Sequence, residues 1–334
     1  MNQLTYTMRS GLGAGAILAL IACGSVPSGS TERETPTTIS EFDLPVASSF
    51  PVSIVTGPDG NLWVTEDIAG KIARVTPQGA VTEFTVPTPS SNPWNITVGP
   101  DRNLWFTESG ANKVAKLTTS GKFTEYTVPT ANSKPMYIVA GRDGNLWFSE
   151  EFRSKIGMVT VSGDFTEYEP PTPNSVPEEL AVGQDGKLWF SELGGHQLAS
   201  LTTSGVFSEY PLPNRAADAL GLALGPDGNI WFGQEAPSEI GKVTPSGVIT
   251  QYPTPTIDGR PLYVVAGPDH RMWFTEQSAG MIGAVTMAGA ITEYAIPTPD
   301  SNPLGIAMGP DHAIWFVEDN ANKIGRLVPG SKPL

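Results

Sequence analysis

The chain has 334 residues, 34 acidic against 20 basic, giving a formal net charge of −14 and a pI near 4.6. That balance argues against nucleic acid as a partner, because phosphate backbones are bound by clustered Lys and Arg and no basic stripe is present. A single cysteine, Cys23, allows no internal disulfide, and no P-loop, Cys/His cluster or helical HExxH motif suggests phosphate or zinc chemistry.

The first segment reads as an address rather than as fold. Met1 to Ser10 carries one basic residue, Arg9; Gly11 to Ala22 is a short apolar run; and Leu20-Ile-Ala-Cys23 resembles the lipobox of bacterial lipoproteins. The apolar run is too short to cross a bilayer, which takes roughly 20 residues. The resemblance implies a signal peptide over residues 1–22, cleavage before Cys23 and acyl chains on that cysteine. The protein would then be anchored to a membrane of the cell envelope on its extracytoplasmic side. Residues 23–38, rich in Ser, Thr, Pro and Glu, are expected to be a flexible tether.

Over residues 39–334 one motif recurs. Gly57-Pro-Asp-Gly-Asn-Leu-Trp63-Val-Thr-Glu66 returns with its first glycine at Gly99, Gly141, Gly183, Gly225, Gly267 and Gly309, always 42 residues apart. Trp63, Trp105, Trp147, Trp189, Trp231, Trp273 and Trp315 keep the same interval, and Trp94 alone is off it. Each period reads as four short strands, rich in β-branched and aromatic residues and bounded by Gly, Pro, Asn or Asp. In the second repeat they are 95–98, 103–107, 114–117 and 122–127. A period of about 40–45 residues with four strands predicts an all-β fold, a seven-bladed β-propeller with four strands per blade.

The phase of the fourth strand predicts how the ring closes. Val81-Thr-Glu-Phe-Thr-Val-Pro87 recurs around Glu125, Glu167, Glu209, Gln251 and Glu293, and its next copy would be centred just past Leu334. One period before Glu83 lies Glu41, inside Ile39-Ser-Glu-Phe-Asp-Leu-Pro45. This N-terminal strand is expected to complete blade seven and cover its open edge.

A feature present in every repeat is architecture first. The aspartates of the Pro-Asp-Gly-type turns, Asp59 and its equivalents, are expected to bond nearby backbone amides. The repeated tryptophans are expected to pack between blades. Two further rings should share one face of the disc. The first is Val52, Trp94, Met136, Glu178, Leu220, Leu262 and Leu304; the second, at the end of strand two, is Glu66, Glu108, Glu150, Glu192, Gln234, Glu276 and Glu318. A lysine follows the second ring five residues later at Lys71, Lys113, Lys155 and Lys323, whereas blades four to six hold Gln197, Glu239 and Met281. Around blade four, Glu178, Glu179, Glu192 and His196 are expected to come close together as a polar cluster. His270 and His312 belong to the turns of the opposite face.

The run Ile96-Thr-Val-Gly-Pro-Asp-Arg-Asn-Leu-Trp-Phe-Thr-Glu108, followed by Asn112-Lys113 and Thr124-Glu-Tyr126, resembles the virginiamycin B lyase (streptogramin lyase) family over about residues 39–328. The resemblance implies an enzyme that opens a cyclic depsipeptide antibiotic at its ester by β-elimination, with a histidine base and a Mg²⁺ ion held by glutamates near the mouth. It places the family's substrate-contacting histidine at Leu262, after Arg260-Pro261, and its catalytic histidine at Leu304, in Asn302-Pro-Leu-Gly305. Of the two metal-binding glutamates it implies, one position holds Asn302 and the other matches Glu318. Leucine cannot accept a proton, and a general base contributes about two to four orders of magnitude in rate.

Two readings follow. In one, the protein binds a small molecule, peptide or protein partner at an apolar mouth formed by Trp94, Met136, Leu220, Leu262 and Leu304 with Glu178, and is expected to be a monomer. In the other, it is a carbon–oxygen lyase whose catalytic candidates are His196, Glu192 and Glu178, with Mg²⁺ as the cofactor implied by resemblance. A purely structural role in the envelope is a third, lesser reading.

Overall fold

The computed structural model describes residues 38–214 and 217–330; the expected signal segment and Cys23 lie outside them. Seven four-stranded antiparallel sheets surround one axis. Blade one comprises Pro51–Thr56, Leu62–Glu66, Lys71–Val75 and Val81–Thr85, and blade two Pro93–Val98, Leu104–Glu108, Lys113–Leu117 and Phe123–Thr127. The strands of the second repeat thus fall within two residues of their predicted positions.

Blade seven closes as the phase predicts. Thr38–Asp43 pairs antiparallel with Lys323–Val328, with Glu41 opposite Gly325. The N-terminal strand also supplies the blade's fourth-strand chemistry. Phe42 stacks on Trp315 at 5.6 Å, as Phe84 stacks on Trp63 and Tyr126 on Trp105. Glu41 accepts hydrogen bonds from the Thr298 amide and hydroxyl, as Glu125 does from Thr88.

The core is built of these repeated aromatics. Six of the seven in-phase tryptophans rank among the largest fully buried side chains, and each such ring removes about 150–250 Å² from water. The turn aspartates do more than close turns: Asp59 accepts from the Asn61 amide and from Trp63 Nε1 at 3.0 Å, fixing the indole in place. Gly57 is needed because a Cβ there would collide with that same ring.

Candidate ligand-binding face

The inner strand of every blade is interrupted. Its pairing with strand two shifts register between Pro93 and Ile96, between Pro135 and Ile138, between Pro177 and Leu180, at the equivalent place in blades one, six and seven, and one residue later in blade five, between Leu220 and Ala223. A bulge frees residues from the ladder and re-aims their side chains, so two neighbouring residues per blade can turn away from strict alternation. The first of the pair is the predicted mouth ring, of which Trp94, Leu220 and Leu304 are partly exposed and Val52, Met136, Glu178 and Leu262 are buried.

A pocket of about 460 Å³ opens among the loops of blades one to three. It brings Trp94 and Met136 together with Asp67, Asn92, Lys134 and Phe152; Leu220, Leu262, Leu304 and Glu178 are not part of its wall. Trp94 Nε1 is buried with no hydrogen-bond partner. Lys134 pairs with Glu151 at 2.6 Å and lies 4.5 Å from the Phe152 ring centre. Burial pushes the Asp67 carboxyl up, against the Asn92 amide that donates to it at 2.8 Å.

The residues that follow the mouth ring form a second column, of which the sequence singles out only Glu179. These positions are Ser53, Asn95, Tyr137, Glu179, Gly221, Tyr263 and Gly305, a column with five residue types in seven blades. Tyr137 of blade three and Tyr263 of blade six bring their hydroxyls to 3.3 Å, which residues three blades apart can do only across the axis. Glu178 and Glu179 are buried beside them. Burial pushes Glu178 up to about 7, helped by Glu151 and opposed by Lys134 and the Tyr137 hydroxyl. Glu179 is held well above the carboxylate range by burial and then by Glu178, against the Leu222 N–H. Its Oε2 has no partner, and a buried carboxyl left in that state costs at least about 1–3 kcal/mol.

The glutamates ending strand two are inside the blades. Glu66, Glu108, Glu150, Glu276 and Glu318 have no exposed surface and Glu192 almost none. Burial pushes Glu66, Glu150 and Glu192 up to about 7 and Glu108, Glu276 and Glu318 up to about 8. The fourth-strand glutamate of the same blade adds to the effect: Glu125 for Glu108, Glu293 for Glu276, Glu41 for Glu318. Where the consensus lysine is missing, the blade rewires internally. Gln197 donates to Glu192 at 2.7 Å; Gln234 donates to Glu239 and accepts from Gln251; the Thr256 hydroxyl contacts Met281 Sδ at 3.8 Å.

His196 bonds through Nδ1 to Asp218 Oδ1 at 2.9 Å, with both side chains well exposed. Asp218 is among the charged neighbours of Glu178, whereas Glu192 has Gln197, Glu209 and Ser175 around it. His196 and Glu178 therefore face a common region through Asp218, and Glu192 belongs to the blade interior. His270 and His312 sit in left-handed turn positions at φ 59°.

The metal implied by the resemblance finds no suitable donors. Asn302 Nδ2 donates to Asp319 Oδ2 at 2.9 Å, which leaves its neutral amide oxygen as the one donor it could offer a metal. The Glu318 carboxyl is buried, has no hydrogen-bond partner on either oxygen and is pushed toward its neutral form. Among the described residues no three His, Cys, Asp or Glu side chains gather as a ligand set. Mg²⁺ demands near-octahedral oxygen ligation and favours carboxylates, and one neutral amide oxygen plus one buried carboxyl pushed toward its neutral form do not fit it.

The virginiamycin B lyase family model matches residues 31–188 and 179–332. The chain belongs to that family. Among solved structures, a streptogramin B lyase is 37% identical over 88% of this chain and 98% of its own, with a TM-score of 0.84. Virginiamycin B lyase from Staphylococcus aureus is 34% identical over 88% of this chain and 100% of its own, also at 0.84. A catalytically inactive histidine-to-alanine variant of that enzyme, with quinupristin, matches equally well. Hydrazine synthase from Kuenenia stuttgartiensis, 13% identical at a TM-score of 0.72 over 85% of this chain and 97% of its own, shares the fold alone. No curated protein matches the chain.

Proposed function

We propose that this member of the virginiamycin B lyase family is an extracytoplasmic, lipid-anchored binding protein that holds its ligand in the pocket of blades one to three without cleaving it by β-elimination. The observation that carries this reading is aliphatic side chains, Leu262 and Leu304, where the resemblance puts the histidines. Abstraction of a proton α to a carbonyl needs a base within hydrogen-bond reach and a partner for the developing enolate. The pocket supports binding instead: it offers Trp94, Met136 and Phe152 as an apolar wall and Asp67, Asn92 and Lys134 as polar groups. Export and anchoring rest on the sequence of residues 1–23.

The test is to incubate the chain from Gly24 onward with quinupristin and Mg²⁺ and follow the antibiotic by chromatography and mass spectrometry. Unchanged antibiotic beside an active Staphylococcus aureus control is expected. A ring-opened product of unchanged mass would overturn the reading in favour of a lyase acting through another base, to which the 37% identity with a streptogramin B lyase lends weight. The combined variant Leu262→His, Asn302→Glu and Leu304→His is expected to gain ring-opening activity over the parent.

A further inference from the structure

Four blades converge on one carboxyl. Glu179 belongs to blade four and has the Leu222 N–H of blade five, Tyr137 of blade three and Tyr263 of blade six as electrostatic neighbours. Only the axis of the disc is common to all four, so the Glu179 carboxyl points into it. The residue is 7% exposed and its Oε2 is without a partner. Protonated on Oε2, that carboxyl has a hydroxyl with no acceptor; ionised, it is a buried charge with no counter-charge. Glu178 is its chain neighbour and faces the Tyr137 hydroxyl.

The remaining axial positions do not neutralise this pair. Ser53, Gly221 and Gly305 carry no long side chain. Asn95 is spent on Ser53 Oγ and the Ile138 amide. The nearby cation, Lys134, is paired with Glu151. The axis adjoins the pocket, because Met136 lines the pocket and its chain neighbour Tyr137 lies on the axis, while Lys134 both lines the pocket and faces Glu178.

We propose that the axis is a binding site for the cationic tip of a ligand, a primary ammonium group held by Glu179 and Glu178 with the phenol oxygens of Tyr137 and Tyr263, the ligand's apolar body lying in the pocket against Trp94 and Met136. This deepens the binding reading and rests on it for the placement of the body. An ammonium brings three donors and no acceptor, which matches the unpartnered Glu179 Oε2 and the lone pairs left on Glu178 and on the two phenol oxygens. Tyrosine rings also attract a cation, and a net charge of −14 favours cationic ligands at long range.

The probes are hexylamine, hexan-1-ol and calcium chloride, titrated by calorimetry into the chain from Gly24 onward. Hexylamine is expected to bind, hexan-1-ol to bind more weakly, and Glu179→Gln and Glu178→Gln each to weaken hexylamine by at least about ten-fold while leaving hexan-1-ol unchanged. An unchanged cooperative melting transition shows that these near-isosteric variants fold. Equal binding of amine and alcohol, unaffected by either substitution, overturns the axial site and leaves the pocket standing. Calcium binding that depends on Glu179, with no amine binding, overturns the ammonium assignment in favour of a metal. Loss of amine binding on Glu179→Gln with no effect of Trp94→Ala upholds the axial site and removes the pocket reading instead.

Discussion

At the scale of single residues, the glutamates ending strand two set how stability responds to pH. Each is an acid whose folded state binds its proton more tightly than the unfolded chain does, from an ordinary 4.5 to about 7 or 8. Their contribution is therefore complete below about pH 4.5 and is lost as pH rises to 8. Glu125, Glu167 and Glu41 run the other way: hydrogen bonds from Thr and Lys hold them low despite burial, and their contribution is lost as pH falls below about 4. The melting temperature should peak in mildly acidic solution and decline toward pH 8.5. Blade five carries a natural neutral version, with Gln234 between Glu239 and Gln251. Glu108→Gln should accordingly raise the melting temperature at pH 8.5 by about 2–4 °C and leave it unchanged at pH 5; calorimetric scans at the two pH values check this, and no difference between them would refute it. The sequence alone does not place these side chains, because a carboxylate at a strand end reads equally as a rim charge or an interior acid. What decides is the Lys71, Glu83 and Ser49 around Glu66, contributed by other parts of the blade.

At the scale of elements, the inner strand divides what was legible from what was not. The 42-residue interval locates every strand, because turn residues and alternating apolar residues are local signals. The bulge is not local: it appears only when strand one is paired with strand two, and it turns Tyr137 and Glu179 toward the axis rather than into the blade. One sequence signal did point there, the column running Ser53, Asn95, Tyr137, Glu179, Gly221, Tyr263 and Gly305, which departs from consensus in almost every blade. The closing strand was fully legible, since Phe42 and Glu41 repeat the pattern of Phe84 and Glu83 one period away. Removing residues 38–43 should expose the edge of Lys323–Val328 and promote association through it, seen as a concentration-dependent rise in mass by light scattering. Phe42→Ala, which keeps the strand but empties the stack on Trp315, should cost about 3 kcal/mol in denaturant unfolding without association. If the two changes gave the same outcome, the strand would act through its ring alone.

At the scale of the whole molecule, the closing strand fixes the face from which the chain enters the propeller. Asp43 lies opposite Lys323, just after the loop that follows Glu318 on the pocket face, whereas Thr38 lies opposite Val328 at the other end of the same strand pair. The chain therefore enters the propeller from the face away from Trp94, Met136 and the axial mouth. An acylated Cys23, followed by a tether rich in Ser, Thr and Pro, would leave the pocket face free of its own attachment point. The consequence is that anchoring and binding should be separable. Cys23→Ser is expected to move the protein from the membrane fraction to the soluble fraction while the melting temperature and hexylamine affinity of the propeller stay the same, because no described residue of the pocket or axis depends on that segment. Membrane association that survives Cys23→Ser would point to attachment through the propeller surface itself, where Ile68, Phe152 and Ile257 are exposed, and would make the pocket face the attached side.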